Sequence, residues 1–293
     1  MPESDYVISV RDLVVRFQSA EGKNVTVLSG VSFDVIRGET LVIMGGSGCG
    51  KSTLLNCLIG EITPAEGEII YCLPDLGEIN LCKADRRTVS RLRKSIGILF
   101  QSGALFSSLT VGENIALPLR EHSYVDPAVI DIVVAMKLQQ VSMLPHRDKM
   151  PSQLSGGQKK RAGLARATAL DPQILFYDEP SAGLDPVTST TIDELMMDLS
   201  QKLRVTSIVV THEMDSAFRI ADRMIMLHEG RTLKIAPRIE FERLRNADPD
   251  TLTDRNSQIM QQFLNGSPHG PLTGGTAAEE YERALLMTRT SRS

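Results

Sequence analysis

Thr40-Leu41-Val42-Ile43-Met44-Gly45-Gly46-Ser47-Gly48-Cys49-Gly50-Lys51-Ser52-Thr53-Leu54-Leu55-Asn56-Cys57-Leu58-Ile59 is the stretch that decides the fold. Thr40 to Met44 is compactly apolar and reads as a buried strand. Thr53 to Ile59 reads as a helix, with Gly60 placed to end it. Between them, Gly45 to Ser52 fits G-x-x-x-x-G-K-[ST] in the strand–loop–helix context that pattern requires. Its glycines let backbone N–H groups close around phosphate oxygens, where a Cβ would block the approach. The following helix points its positive end at the anion. In this reading Lys51 neutralises β- and γ-phosphate charge, and the Ser52 hydroxyl ligates Mg²⁺. An ordinary glycine-rich turn is the plain alternative. Average composition places the pattern by chance in about one such chain in a hundred, and the flanking strand and helix lower those odds further.

Working outward, residues 6 to 17 alternate as a strand, and Val25 to Leu28 and Val31 to Val35 read as further short strands. Residues 61 to 84 read as strand and loop, punctuated by Pro64, Gly67, Pro74 and Gly77. From Thr88 to about Arg166 the periodicity is mostly helical. Ile174 to Tyr177 and Ser207 to Val210 are apolar strands, Thr188 to Leu203 and Met214 to Ala221 are helices, and Met224 to Leu227 is a last strand. Strands alternating with helices imply a parallel sheet with helices packed on it. Ile259 to Leu264 closes a helix. Beyond Asn265, glycine and proline are dense, so residues 246–293 read as a tail or linker without a core of their own.

The chain has 293 residues, 42% of them hydrophobic, enough for one large α/β domain with subdomains or two small ones. The formal net charge of -4 argues against a nucleic-acid partner. The basic stretches Arg86-Arg87 and Arg91 to Lys94 read as a solvated helix face. Aromatics make up 4% and Trp is absent, so platforms for stacking bases are scarce. No apolar run reaches the roughly 18 to 20 residues of a membrane span. The acidic start lacks the apolar segment of a signal peptide, which predicts a cytoplasmic chain. The four cysteines, Cys49, Cys57, Cys72 and Cys82, show no CxxC spacing and read as reduced thiols.

A second acidic element complements the phosphate loop. The apolar run Ile174-Leu175-Phe176-Tyr177 ends in Asp178-Glu179. At the C-terminal edge of a parallel sheet these carboxylates emerge where ligands bind. Asp178 suits Mg²⁺, and Glu179 suits polarisation of an attacking water. Such a pair alone more often caps the next helix; beside a phosphate loop the functional reading wins. His212 follows another apolar strand. It reads either as a strand-end histidine with satisfied hydrogen bonds or as a γ-phosphate-sensing imidazole near Glu179.

Leu154-Ser155-Gly156-Gly157-Gln158, ahead of Lys159-Lys160-Arg161 and a helical run, is a second anion-binding helix start. With this motif the chain resembles the ATP-binding cassette (ABC) ATPases over roughly residues 6 to 245. That resemblance implies an α/β P-loop NTPase fold with a RecA-like core. It adds an antiparallel β-subdomain near the N-terminus and an α-helical signature subdomain near 88–166. It assigns 6–245 to the nucleotide-binding domain and 246–293 to a C-terminal helix and extended tail. It implies ATP and Mg²⁺ as ligands and a head-to-tail dimer of two copies clamping two ATP molecules. Ser155, Gly156, Gly157 and Gln158 would then complete the partner copy's site. The phosphate loop contributes Gly45, Gly46, Ser47, Gly48, Cys49, Gly50, Lys51, Ser52 and Thr53. Asp185, in Ser181-Ala182-Gly183-Leu184-Asp185, matches the D-loop at the dimer seam. Gln101 matches the glutamine that links Mg²⁺ and water to the helical subdomain. Phe17 sits where the family places an aromatic under adenine.

The segment Gln101 to Val111, with Glu113-Asn114 and Pro118 to His122, is similar to the Mla/Mce group of lipid-trafficking ATPases. Many members of that group carry Met where this chain has Gln158. The resemblance implies an integral membrane permease dimer as a separate chain and an Mce-domain substrate-binding protein. A STAS-type small subunit joins them in some such systems. It places the chain at the cytoplasmic face of the inner membrane. Separately, the glycine- and proline-rich, coreless stretch beyond Gly266, appended to a complete domain, is expected to reach across and grip the neighbouring copy. The alternatives are a polar-solute importer, a lipoprotein-release ATPase, or a soluble non-transport ABC ATPase. A single cassette and no sustained heptads between Ser52 and Leu154 argue against ribosome- or DNA-acting members.

Overall fold

The computed structural model describes residues 5–18, 22–123 and 125–273. The chain falls into two compact units, one ending at Arg238 and one beginning at Ile239.

The first unit opens with a long antiparallel pair, β1 (Tyr6–Gln18) and β2 (Asn24–Ile36). The two short strands expected between residues 25 and 35 are one strand. Gly30 sits unpaired between Ser29 and Val31, which pair with Val14 and Leu13, so a bulge bends the ladder without breaking it. β3 (Thr40–Gly45) and α1 (Lys51–Leu58) follow. β4 (Glu66–Leu73) and β5 (Gly77–Asn80) complete a four-stranded antiparallel sheet of order β2-β1-β4-β5. Tyr71 on β4 is fully buried and donates its hydroxyl hydrogen to the Leu58 carbonyl at 2.6 Å, satisfying an orphan carbonyl at the end of α1.

After α2 (Arg86–Lys94) comes β6 (Ile96–Leu99), a strand inside the stretch expected to be helical. Four residues are too few to show a period. Gly97 lets the strand lie close beneath a helix, because a Cβ there would fall 2.2 Å from the Ala167 carbonyl oxygen. α3 (Val111–His122), α4 (Pro127–Gln140) and α5 (Gly156–Ala167) form the helical layer, with single 3₁₀ turns at Leu144–His146 and Pro151–Gln153.

β7 (Ile174–Asp178), α6 (Pro186–Leu203), β8 (Thr206–Val210), α7 (Met214–Ile220), β9 (Arg223–His228) and β10 (Arg231–Pro237) finish the unit. The six-stranded sheet runs β10-β9-β3-β8-β7-β6, parallel from β9 to β6. Its central strands are sheathed on both faces: Leu41 to Met44, Ile174 to Tyr177 and Ile208 to Val210 are all inaccessible to solvent. β10 adds an antiparallel edge that the sequence reading missed by ending the sheet at Leu227. Its residues are mostly half-buried, so no apolar run marks it. The turn Glu229-Gly230, at φ 46° and 73°, makes the hairpin. α6 and α7 are joined by Asp193, which is fully buried and accepts from Ser216 Oγ at 2.7 Å and Arg219 at 2.5 Å.

The second unit begins within the first turn of α8 (Arg238–Arg245) and continues through a 3₁₀ turn at Pro249–Thr251 to α9 (Arg255–Asn265). Gln261 donates to the carbonyls of Leu244 and Ala247, and Asn265 to that of Arg245, which ties α9 to α8. Gln262 accepts the Leu272 N–H at 2.7 Å and folds residues 267–273 back onto α9. Residues 274–293, the end of the expected tail, lie outside the described residues.

Candidate nucleotide site

Parallel pairing sets the site. Ile43 of β3 and Asp178 of β7 both align with Val210 of β8, so the three strands end at one level. Gly45, Asp178-Glu179 and Thr211-His212 therefore emerge together on the C-terminal edge of the sheet. Gln101 leaves the same edge, because Leu99 of β6 aligns with Tyr177; its side chain is exposed.

Gly45 adopts φ 151°, and a Cβ there would stand 2.2 Å from the Leu227 carbonyl oxygen. Gly50 caps α1 at φ 106°, and its Cβ would meet Leu28 Cδ2 at 2.6 Å. Gly46, Ser47 and Gly48 form the outer rim, with Ser47 and Gly48 exposed. Cys49 is buried behind the loop, its N–H donating to the Gly46 carbonyl at 3.3 Å. Burial pushes its thiol pKa up, so its contribution is packing and backbone shape. Lys51 Nζ donates to the carbonyls of Gly45 at 2.7 Å and Gly46 at 3.1 Å, which lays the ammonium across the loop. Ser52 is exposed and Thr53 half-buried in the first turn of α1.

The acidic pair divides by environment. Asp178 is half-buried, and its carboxylate accepts no hydrogen bond among the described residues. Burial pushes its pKa up, reinforced by the Glu179 charge, while Lys160 and Lys51 oppose the rise. A half-buried carboxylate without a donor suits a hard cation. Glu179 is fixed instead. His212 Nδ1 lies 2.8 Å from its Oε1, and the His212 N–H donates to its Oε2 at 3.3 Å. The imidazole itself stays 59% exposed, leaving its far edge open. Two contacts from one residue hold the carboxylate plane.

The helix-start residues are placed otherwise. Ser155 caps α5, its Oγ accepting the Gln158 N–H at 3.3 Å while Gln158 Oε1 accepts the Ser155 N–H at 3.0 Å. Gln158 also meets His146 Nε2 at 3.2 Å. Asp185 caps α6, accepting from the Val187 and Thr188 N–H groups and the Thr188 hydroxyl. No hydrogen bond among the described residues joins Ser155, Gly156, Gly157, Gln158 or Asp185 to the phosphate loop of the same chain. Gly156 is exposed, while Gly157 is buried against Thr188. Phe17, 41% exposed, pairs across the ladder with Val25, 50% exposed, as an open apolar step. Val25 was not singled out from sequence; its place opposite Phe17 becomes visible only in the register. Lys160 was also passed over. It is buried, and its Nζ donates to the Glu179 carbonyl at 2.8 Å.

The ABC transporter family profile matches residues 28–182, which contain the phosphate loop, the helix start at Ser155 and the acidic pair. The chain belongs to the ABC transporter family. It is 38% identical over 279 residues to the intermembrane phospholipid transport system ATP-binding protein MlaF of Escherichia coli K12, covering 95% of this chain and 98% of that one. It is 36% identical over 278 residues to the probable ribonucleotide transport ATP-binding protein mkl of Mycobacterium leprae, covering 95% of this chain and 74% of that one. A solved dimeric ATP-binding cassette in a post-hydrolysis state, bound to ADP and Pi, superposes with a TM-score of 0.70 at 29% identity, over 78% of this chain and 98% of that one. A cassette of an ABC transporter complex from Clostridium perfringens gives 0.71 at 31% identity, over 81% of this chain and 90% of that one. The ABC chain is thus an ATP-binding and ATP-hydrolysing subunit of the P-loop α/β fold. Cassettes of this family dimerise and work with membrane components. No helix among the described residues is long and apolar enough to cross a membrane.

Proposed function

We propose that this ABC ATPase powers a multi-subunit system that moves phospholipid, or another lipid, between membranes. The observation that carries the reading is the 38% identity to MlaF, which runs through almost the whole of both chains. The likeness to a relative described as a ribonucleotide transporter supports a polar cargo as the second reading.

At the chemical centre, the ATP phosphates lie in the Gly45–Thr53 loop, with Lys51 on the β- and γ-oxygens. Mg²⁺ would be held by Ser52, Asp178 and Gln101, and when bound it neutralises charge on the β- and γ-phosphates. Glu179 accepts a hydrogen bond from the attacking water and aims it at the γ-phosphorus. The bond to the β-phosphate oxygen breaks as the new one forms, giving ADP and phosphate. His212 holds the Glu179 carboxylate through Nδ1 and turns its open edge toward the γ-phosphate. Phe17, with Val25 beside it, offers the adenine an apolar face. Ser155, Gly156, Gly157 and Gln158 close on the ATP of a second copy, with Asp185 at the seam.

Near Gln101, a groove of about 580 Å³ is lined by Ile98, Phe100, Phe106, Leu117 and Pro118. It is the docking place for a permease segment. An Mce-domain protein, and in some assemblies a STAS-type subunit, complete the system at the cytoplasmic face of the inner membrane. The test is capture of tagged Glu179→Gln protein with ATP from detergent-solubilised native membranes, followed by mass spectrometry of proteins and lipids. A permease recovered with an Mce-domain protein and phospholipid supports the reading. A permease recovered with a polar-solute-binding protein and no lipid overturns the cargo.

A further inference from the structure

Lys159 and Lys160 are adjacent on α5, yet Lys160 is only 4% exposed. An ammonium taken out of water needs acceptors. Lys160 Nζ finds one in the main-chain carbonyl of Glu179, at 2.8 Å. The charges facing it are Asp178, Glu179 and Glu213, all acidic.

Glu179 stands where β7 gives way to a turn. Its N–H still pairs in the sheet, donating to the Val210 carbonyl at 2.9 Å, but its backbone turns left-handed at φ 47°. That conformation is strained for a residue with a side chain. Its carbonyl leaves the ladder and accepts the Ala182 N–H at 3.2 Å as well as Lys160.

We propose that Lys160 is a positioning residue for hydrolysis: by pinning the Glu179 carbonyl it sets the direction in which the Glu179 carboxylate leaves the strand, toward His212 and the attacking water. This rests on the reading of Glu179 as the residue that orients that water. Because Lys160 stands on the helix opened by Ser155, the link also ties any movement of that helix to the carboxylate.

The test is ATP hydrolysis and ATP affinity of the assembled complex carrying Lys160→Met or Lys160→Gln, with Glu179→Gln in parallel. Met keeps the stem and removes the donor; Gln keeps a donor. Lys160→Met lowers kcat by about tenfold or more, with KM, ATP affinity and Tm close to wild type, and Lys160→Gln recovers most of the loss. A Lys160→Met kcat within about twofold of wild type overturns the proposal, as does a loss shared by kcat, KM and Tm in both variants. If the Met variant does not fold, Lys160→Ala, which admits water, takes its place under the same criteria. Wild-type turnover in Glu179→Gln would sink the reading of Glu179 itself. An inactive Glu179→Gln beside an unaffected Lys160→Met sinks the role of Lys160 alone.

Discussion

In the proposed function, Lys51 shows how a single side chain is prepared for an anion. Its ammonium holds two carbonyls of its own loop, Gly45 and Gly46, within 3.1 Å, so it is already above the loop when phosphate arrives. Pre-placement of this kind lowers the ordering cost of binding. Lys51→Ala should weaken ATP binding by about a hundredfold or more, measured by equilibrium titration with a fluorescent ATP analogue. Asp193 makes the complementary case for stability. It is fully buried between Ser216 and Arg219, and Arg219 keeps access to solvent. Asp193→Ala leaves the serine hydroxyl unpaired and should cost about 1 to 3 kcal/mol in urea unfolding. At this scale the sequence was readable where spacing is local. The G-x-x-x-x-G-K-[ST] loop and the strand-terminal Asp178-Glu179 needed no tertiary information. Lys160 was not readable, because a step of about 100° round a helix separates it from the half-buried Lys159 and the sequence does not say which of the two turns inward.

The elements owe their ends to caps. Asp85, Asp185 and Asp254 cap the starts of α2, α6 and α9, and hydrogen bonds from the side chains of Thr88, Thr188 and Ser257, joined by those from backbone N–H groups, hold their carboxyls below the usual range. A lowered folded-state pKa means that the unfolded chain takes up protons first as pH falls. The capping contribution is therefore complete above the unfolded value of about 4 and is lost as pH drops through the folded value. Asp85→Asn keeps an accepting oxygen and should flatten the acid side of the Tm profile below about pH 4 relative to wild type. Asn114 does similar work inside the helical layer. It is fully buried, accepts the Phe106 N–H and reaches the carbonyls of Phe106, Leu109 and Thr110, fixing the loop that carries Phe106 into the groove. Long periodic elements such as α6 were legible in sequence. β6 was hidden by its length of four residues and β10 by its half-buried edge. Gln158 and Asp185 were singled out as site residues, and the structure occupies both in helix caps, a role their sequence pattern also fits.

For the molecule as a whole, the sheet edge gathers Gly45, Asp178, Glu179 and His212 because parallel strands end together, whatever lies between them in sequence. Among the described residues, the helix start at Ser155 makes no hydrogen bond to that loop, which fits an arrangement needing a second copy. The cargo is the property furthest from local chemistry. In the proposed function, hydrolysis depends on the Glu179 carboxylate that His212 holds. The most direct test is single-turnover ATP hydrolysis by the assembled membrane complex carrying Glu179→Gln, with ATP binding measured on the same sample. The account predicts ATP bound with affinity near wild type and hydrolysis slowed by about a hundredfold or more. Hydrolysis at the wild-type rate would contradict it.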